Sequence, residues 1–216
     1  MLTIYGRPDS SAVARVMWTV GELDLPHRRL DWGGAHGGND DLAYRALNPA
    51  GRIPAVVLPD GAPLWESNAI IRCLAELHDP DGLIPREPVA RAKVEAWMEF
   101  SGAVADAVSA VRAAYKAPEP DPQVLAAAIA GAGRTLGVLD ARLGASAHLG
   151  GANFSVADLA QGVWVHRWFR CPPELPGLPH LPNLQSWHAR LCARRAFQTH
   201  VVAQVSAGPQ RVGGAQ

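Results

Sequence analysis

The sequence predicts an α/β domain of order β-α-β-α-β-β-α followed by an all-α helical domain. Three observations predict it. The first eighty or so residues alternate short strand-like runs with helical patterns. A turn-rich segment, DPDGLIPREP at 79–88, then breaks the pattern. Beyond it, every apolar periodicity steps by three or four residues. The expected layout is an N-terminal domain over 1–79, a linker over 80–88, a helical domain over 89–205 and a patternless, disordered tail over 206–216.

Each element has a local reason. Leu2 to Tyr5 is a short β-type run that ends at Gly6 and Pro8. Val13, Val16, Met17 and Val20 then fall on one helical face, and Asp9, Ser10 and Ser11 crowd the start, where side-chain oxygens cap unpaired N–H groups. His27 to Trp32 reads as a second strand, followed by the glycine-rich GGAHGG at 33–38 and a short helix around Asp40 to Leu47. Ala55 to Leu58 and Ala62 to Trp65 read as strands joined by the turn Pro59-Asp60-Gly61. Ser67 opens a helix with Ile70, Ile71, Leu74 and Leu77 on its apolar side. In the second half, Trp97, Phe100, Val104, Val108 and Val111 form one stripe, and Leu125, Ile129, Ala132, Leu136, Leu139 and Leu143 another. Ser155 opens a further helix, and Leu184, Trp187 and Leu191 mark one more.

Composition narrows the function. Twenty Lys+Arg against 20 Asp+Glu give a formal net charge of +0, which removes the basic footprint of a general nucleic-acid binder. With 48% hydrophobic and 19% charged residues, the chain lies outside the disordered regime. Three scattered cysteines, Cys73, Cys171 and Cys192, argue against a disulfide framework and a cysteine-rich zinc site. No charged n-region followed by an apolar stretch opens the chain, and no apolar run reaches the ~18 residues of a membrane span. These features predict a cytoplasmic chain that binds neither nucleic acid nor membrane.

The most informative stretch is NPAGRIPAVV followed by LWESNAI. Its Asn48-Pro49…Gly51…Ile53-Pro54 and Glu66-Ser67-Asn68-Ala69-Ile70 stand about a dozen residues apart across a hairpin. Ser67 suits a helix N-cap, and a helix N-terminus is a ready anion site. Together these motifs resemble the glutathione S-transferase family, in particular its bacterial, serine-type, theta-like branch, over essentially the whole chain up to the tail.

The resemblance implies a thioredoxin-like, glutathione-binding N-terminal domain and glutathione as co-substrate. It implies a cis bond between Ile53 and Pro54, turning the Ile53 backbone outward to pair with the cysteinyl segment of glutathione like an added strand. Ser67 and the adjacent N–H groups would hold the γ-glutamyl carboxylate, and Glu66 would accept from the ammonium group. Arg52 and His36 are candidates for the glycyl carboxylate.

Thiol chemistry needs a donor near the start of the first helix, because the thiolate is the nucleophile and glutathione is mostly protonated at neutral pH. A hydroxyl donating to sulfur, aided by a helix N-terminus, favours the thiolate. Ser10, six residues before Val16, matches the serine of the serine-type branches and ranks first. Ser11 ranks second and Tyr5, at the end of the first strand, third. The absence of cysteine near position 10 separates the chain from branches that lean toward disulfide exchange.

Other constellations are structural or empty. Phe154-Ser155-Val156-Ala157-Asp158-Leu159 reads as a capping box with a hydrophobic staple. Trp164 and Trp168, and Trp97 with Phe100, sit at core-like helical spacings, although helices in these places line the electrophile pocket of the resembled fold. GGAHGG does not fit a phosphate loop, and the eight histidines show no H-x-x-x-H or His/Cys ligand spacing, so no metal is expected.

The expected activity is conjugation of the glutathione thiolate to hydrophobic electrophiles by a homodimeric detoxification enzyme. The alternatives are glutathione-dependent disulfide reduction or peroxidase chemistry on the same site, and a non-enzymatic protein that binds glutathione or another ligand.

Overall fold

Four short strands, β1 (Leu2–Tyr5), β2 (His27–Leu30), β3 (Ala55–Val57) and β4 (Pro63–Trp65), form a mixed sheet of order β2-β1-β3-β4 in this computed structural model, which describes residues 1–79 and 82–205. β1 runs parallel to β2, with Leu2 opposite His27, and antiparallel to β3, with Thr3 opposite Val57. β3 and β4 close the hairpin with Ala55 opposite Trp65. The expected β-α-β-α-β-β-α order holds.

Helix α1 (Ser11–Glu22) connects β1 to β2, and Ser10 is its N-cap, with extended backbone and a side chain accepting from the Val13 N–H at 3.4 Å. Its Val13, Val16 and Val20 are fully buried. A 3-10 turn, Gly34–His36, and helix α2 (Leu42–Leu47) follow. A Cβ on Gly38, at φ +85°, would meet the Trp32 ring at 2.3 Å, so the glycine-rich loop owes that residue to close packing.

Helix α3 (Ser67–His78) buries Ile70, Ile71, Leu74 and Ala75. Leu77, expected on the same side, is 58% exposed. At ~100° per residue it lies about 90° from the middle of the arc those four define, and so falls off the buried face.

The remaining helices are α4 (Pro88–Glu99), α5 (Ser101–Lys116), α6 (Pro122–Gly144), α7 (Val156–Phe169) and α8 (Pro182–Cys192). Pro88 and Pro122 open α4 and α6 behind the caps Glu87 and Asp121, whose carboxylates accept from the first free N–H groups. The stripe from Trp97 to Val111 is two helices, broken at Phe100, rather than one. α5 packs on α6 and α7, α4 on α7, and α6 on α8. The chain after α8 runs Arg195–Phe197, a π-helical Gln198–Val202 and Ala203–Val205; it packs on α1, with Phe197 edge-on to Trp18 at 4.7 Å between centroids.

The box at the start of α7 is present. Asp158 is fully buried and accepts from the Ser155 N–H at 2.9 Å, the Ser155 hydroxyl at 3.2 Å, the Leu149 N–H at 3.2 Å and the Trp187 indole at 2.8 Å.

Two compact units divide the chain by packing, Met1–Ile70 with the described residues after Arg194, and Ile71–Arg194. Pro80, Asp81 and the tail 206–216 lie outside the described residues. Among the described residues α6 is a 23-residue helix long and apolar enough, by length and composition, to cross a membrane, although Arg134, Asp140 and Arg142 interrupt its apolar run. Its buried stripe from Leu125 to Leu143 nevertheless packs within the bundle against α5 and α8.

Candidate active site

A cleft of about 160 Å³ opens in the N-terminal unit, lined by Ala12, Arg15, Asn48, Arg52, Ile53, Pro54, Glu66 and Ser67. Three chain segments build it: the first turns of α1, the loop between α2 and β3, and the junction of β4 with α3.

The loop is held from behind. The buried Asn48 amide donates to the Arg52 carbonyl at 2.6 Å and its oxygen accepts from the Ala50 N–H at 3.0 Å. The Tyr44 hydroxyl donates to the same carbonyl at 2.6 Å. Burial pushes the Tyr44 phenol up to about 12, so it stays a neutral donor across the physiological range. Gly51 completes the turn at φ +62°, in the left-handed region glycine favours. The loop ends in the Ile53–Pro54 peptide bond, which is cis.

The β4–α3 junction carries a second unusual backbone. Glu66 is exposed and sits at φ +63°, a region rarely adopted by a residue with a Cβ and one that clusters at functional sites. Ser67, 5% exposed, begins α3, so the unpaired N–H groups of that helix start open beside it.

Beneath Ser67 lies Arg15. Its guanidinium donates to Ser67 Oγ at 2.7 Å and to Asn68 Oδ1 at 3.0 Å, and the residue is only 8% exposed. A buried cation and a helix N-terminus therefore converge on one end of the cleft, with the Glu66 carboxylate at its rim. That arrangement matches a free α-amino acid group, whose carboxylate seeks the positive pole and whose ammonium seeks the negative one.

Of the residues singled out from sequence, the cleft gathers Arg52, Ile53, Pro54, Glu66 and Ser67. Ser10 caps α1 two residues before the lining Ala12, and Ser11, 8% exposed, is the first residue of the helix. Tyr5 is part of an aromatic cluster, edge-on to Trp32 at 5.4 Å and tilted against Tyr44 at 5.7 Å. His36 is exposed on the 3-10 turn and is not among the lining residues. Arg15 is the site residue sequence reasoning misses; its signal is an arginine set between apolar positions of α1, five residues after Ser10. A further correction concerns α8, where His188 and Cys192 stand four residues apart and gather with His166, a His/Cys spacing the sequence reading excludes.

Comparison with known proteins agrees with this architecture. Residues 9–77 match the family Glutathione S-transferase, N-terminal domain, and residues 122–190 match Glutathione S-transferase, C-terminal domain. Glutathione S-transferase GstB of Escherichia coli (strain K12) is 32% identical over 213 residues, spanning 95% of this chain and 100% of that protein. Glutathione S-transferase 3 of Zea mays is 30% identical, spanning 94% of each. The theta class glutathione S-transferase of Xanthomonas axonopodis pv. citri, solved with glutathione bound, superposes with a TM-score of 0.84 at 37% identity, spanning 94% of this chain and 98% of that one. The chain belongs to the glutathione S-transferase family.

Proposed function

We propose that this enzyme binds glutathione in the Ile53–Ser67 cleft and transfers its thiolate to hydrophobic electrophiles. The observation that carries the reading is the convergence of buried Arg15, the α3 N-terminus and the strained Glu66 on a cleft edged by the cis Ile53–Pro54 segment. The γ-glutamyl carboxylate is held by the Ser67 hydroxyl and neighbouring N–H groups, and its ammonium by Glu66. The Ile53 main chain pairs with the cysteinyl residue, in the manner of an added strand. Arg52, and more distantly His36, take the glycyl carboxylate.

Ser10 is the thiolate-stabilising residue. As an N-cap it accepts the Val13 N–H, so its own proton is directed elsewhere and can be donated to sulfur. It does not remove the thiol proton, which leaves to solvent; its hydrogen bond and the α1 N-terminus make the anion cheaper. The thiolate then forms a carbon–sulfur bond with the electrophile, and the leaving group departs with its electron pair. Glutathione-dependent turnover of a generic aryl halide tests this reading.

The alternative enzyme chemistry is favoured by a relative named Disulfide-bond oxidoreductase YfcG, of Escherichia coli (strain K12), 29% identical over 205 residues. Turnover only with a glutathione mixed disulfide or a peroxide favours that chemistry, and glutathione binding without either turnover favours a binding protein. The same reading makes the protein a soluble, cytoplasmic homodimer acting in detoxification. A fully active species sedimenting at 23.0 kDa contradicts the dimer.

A further inference from the structure

We propose that His166, His188 and Cys192, in the helical unit, form a binding site for a borderline-soft transition-metal ion of the Zn²⁺ class. His166 comes from α7, and His188 and Cys192 from one face of α8 at i and i+4. His166 Nδ1 lies 3.1 Å from His188 Nε2, and Cys192 Sγ lies 3.5 Å from that same nitrogen.

These separations are those of a coordination sphere. Around a tetrahedral Zn²⁺, with Zn–N of ~2.0–2.1 Å and Zn–S of ~2.3 Å, adjacent nitrogens stand ~3.3 Å apart and a nitrogen and sulfur ~3.5 Å. All three ligand atoms lie within 4.8 Å of one another, and the remaining His166–Cys192 edge is adjustable by rotation of the Cys192 side chain. Imidazole with thiolate is the donor set that suits zinc and disfavours magnesium or calcium.

The surroundings also fit. Phe169 stacks on the His188 ring at 4.8 Å and 28°, fixing its orientation, and Cys192 is a thiol rather than half of a disulfide. His188 and Cys192 are part-exposed, so the cluster lies near the surface.

The test is calorimetric titration of Zn²⁺ into the full-length, chelator-treated protein, paired with Co²⁺ absorption. One equivalent per chain and a thiolate-to-cobalt charge-transfer band are expected. Cys192→Ser and His188→Gln should each remove the band and weaken Zn²⁺ binding beyond the roughly 10–100-fold loss typical of a supporting group. Zn²⁺ should also protect Cys192 from alkylation. Circular dichroism of both variants confirms folding before titration. No binding by the wild-type protein, or equal binding by both folded variants, overturns the site. Neither result touches glutathione binding, which resides in the other unit.

Discussion

The guanidinium of Arg15 and the hydroxyl of Ser67 are joined by a buried 2.7 Å hydrogen bond that ties α1 to the start of α3. The bond orients Ser67 Oγ as an acceptor toward Arg15 and leaves its proton for an anion in the cleft. Arg15→Met should remove a charge-assisted hydrogen bond and the positive pole together. Glutathione affinity should fall by about 1.5–3 kcal/mol, measured by calorimetry. Arg15→Lys should recover only part of it, because one ammonium cannot reproduce the fork that reaches both Ser67 and Asn68.

Ser67→Ala should weaken glutathione binding by roughly 1–3 kcal/mol, the cost of a lost buried or charged hydrogen bond. Ser67 also begins a helix, so the affinity loss must exceed any loss explained by thermal stability. Unchanged affinity in the folded variant refutes the γ-glutamyl assignment.

Asn48→Ala should act at a distance from the ligand. It deletes the donor to the Arg52 carbonyl and the acceptor for the Ala50 N–H, loosening the loop before Ile53. Stability should drop by about 1–3 kcal/mol in denaturant unfolding, and the Michaelis constant for glutathione should rise. A wild-type Michaelis constant would show that the loop holds its shape without Asn48.

Asp158→Ala should be the most damaging substitution in the helical unit. Four donors converge on this fully buried carboxylate, and all lose their acceptor. A loss of ~3 kcal/mol or more is expected from unsatisfied buried groups. A melting temperature within a few degrees of wild type would contradict that role.

Acid should destabilise the helical unit through His166 and His188. Burial lowers both from 6.5 to about 4, the proximity of the two rings adding to the effect at His166. The unfolded chain therefore binds protons that the folded chain refuses, so stability is full above pH ~6.5 and declines as pH falls toward 4. The imidazole resonances should titrate near pH 4 by NMR, and His188→Gln should flatten the acid limb of the stability curve. A midpoint near 6.5 would show that the rings are solvated.

Much of this was legible in the chain because local chemistry and tertiary packing agree. β1 occupies Leu2–Tyr5 as its pattern predicts, and Ser10 caps α1 as its side chain allows. The NPAGRIP and ESNAI motifs meet in one cleft because the β3–β4 hairpin folds one back on the other. What periodicity misses depends on pairings distant in sequence. Arg15 reads as an interruption of an apolar face until α3, more than fifty residues later, supplies Ser67 and Asn68. His188 and Cys192 share a helix turn, but His166 joins them only through the α7–α8 contact.

The central claim is that Ser10 stabilises the thiolate of glutathione held in the Ile53–Ser67 cleft. Thiolate absorbance of bound glutathione, titrated against pH in wild type, Ser10→Ala, Ser11→Ala and Tyr5→Phe, tests it most directly. Wild type should hold the thiol below the ~8.5 of an unperturbed cysteine, and Ser10→Ala alone should raise it, each unit corresponding to ~1.36 kcal/mol. Turnover should fall in parallel near neutral pH and recover at high pH, with glutathione affinity little changed. An unmoved titration in Ser10→Ala, with a shift only in Ser11→Ala or Tyr5→Phe, would contradict it.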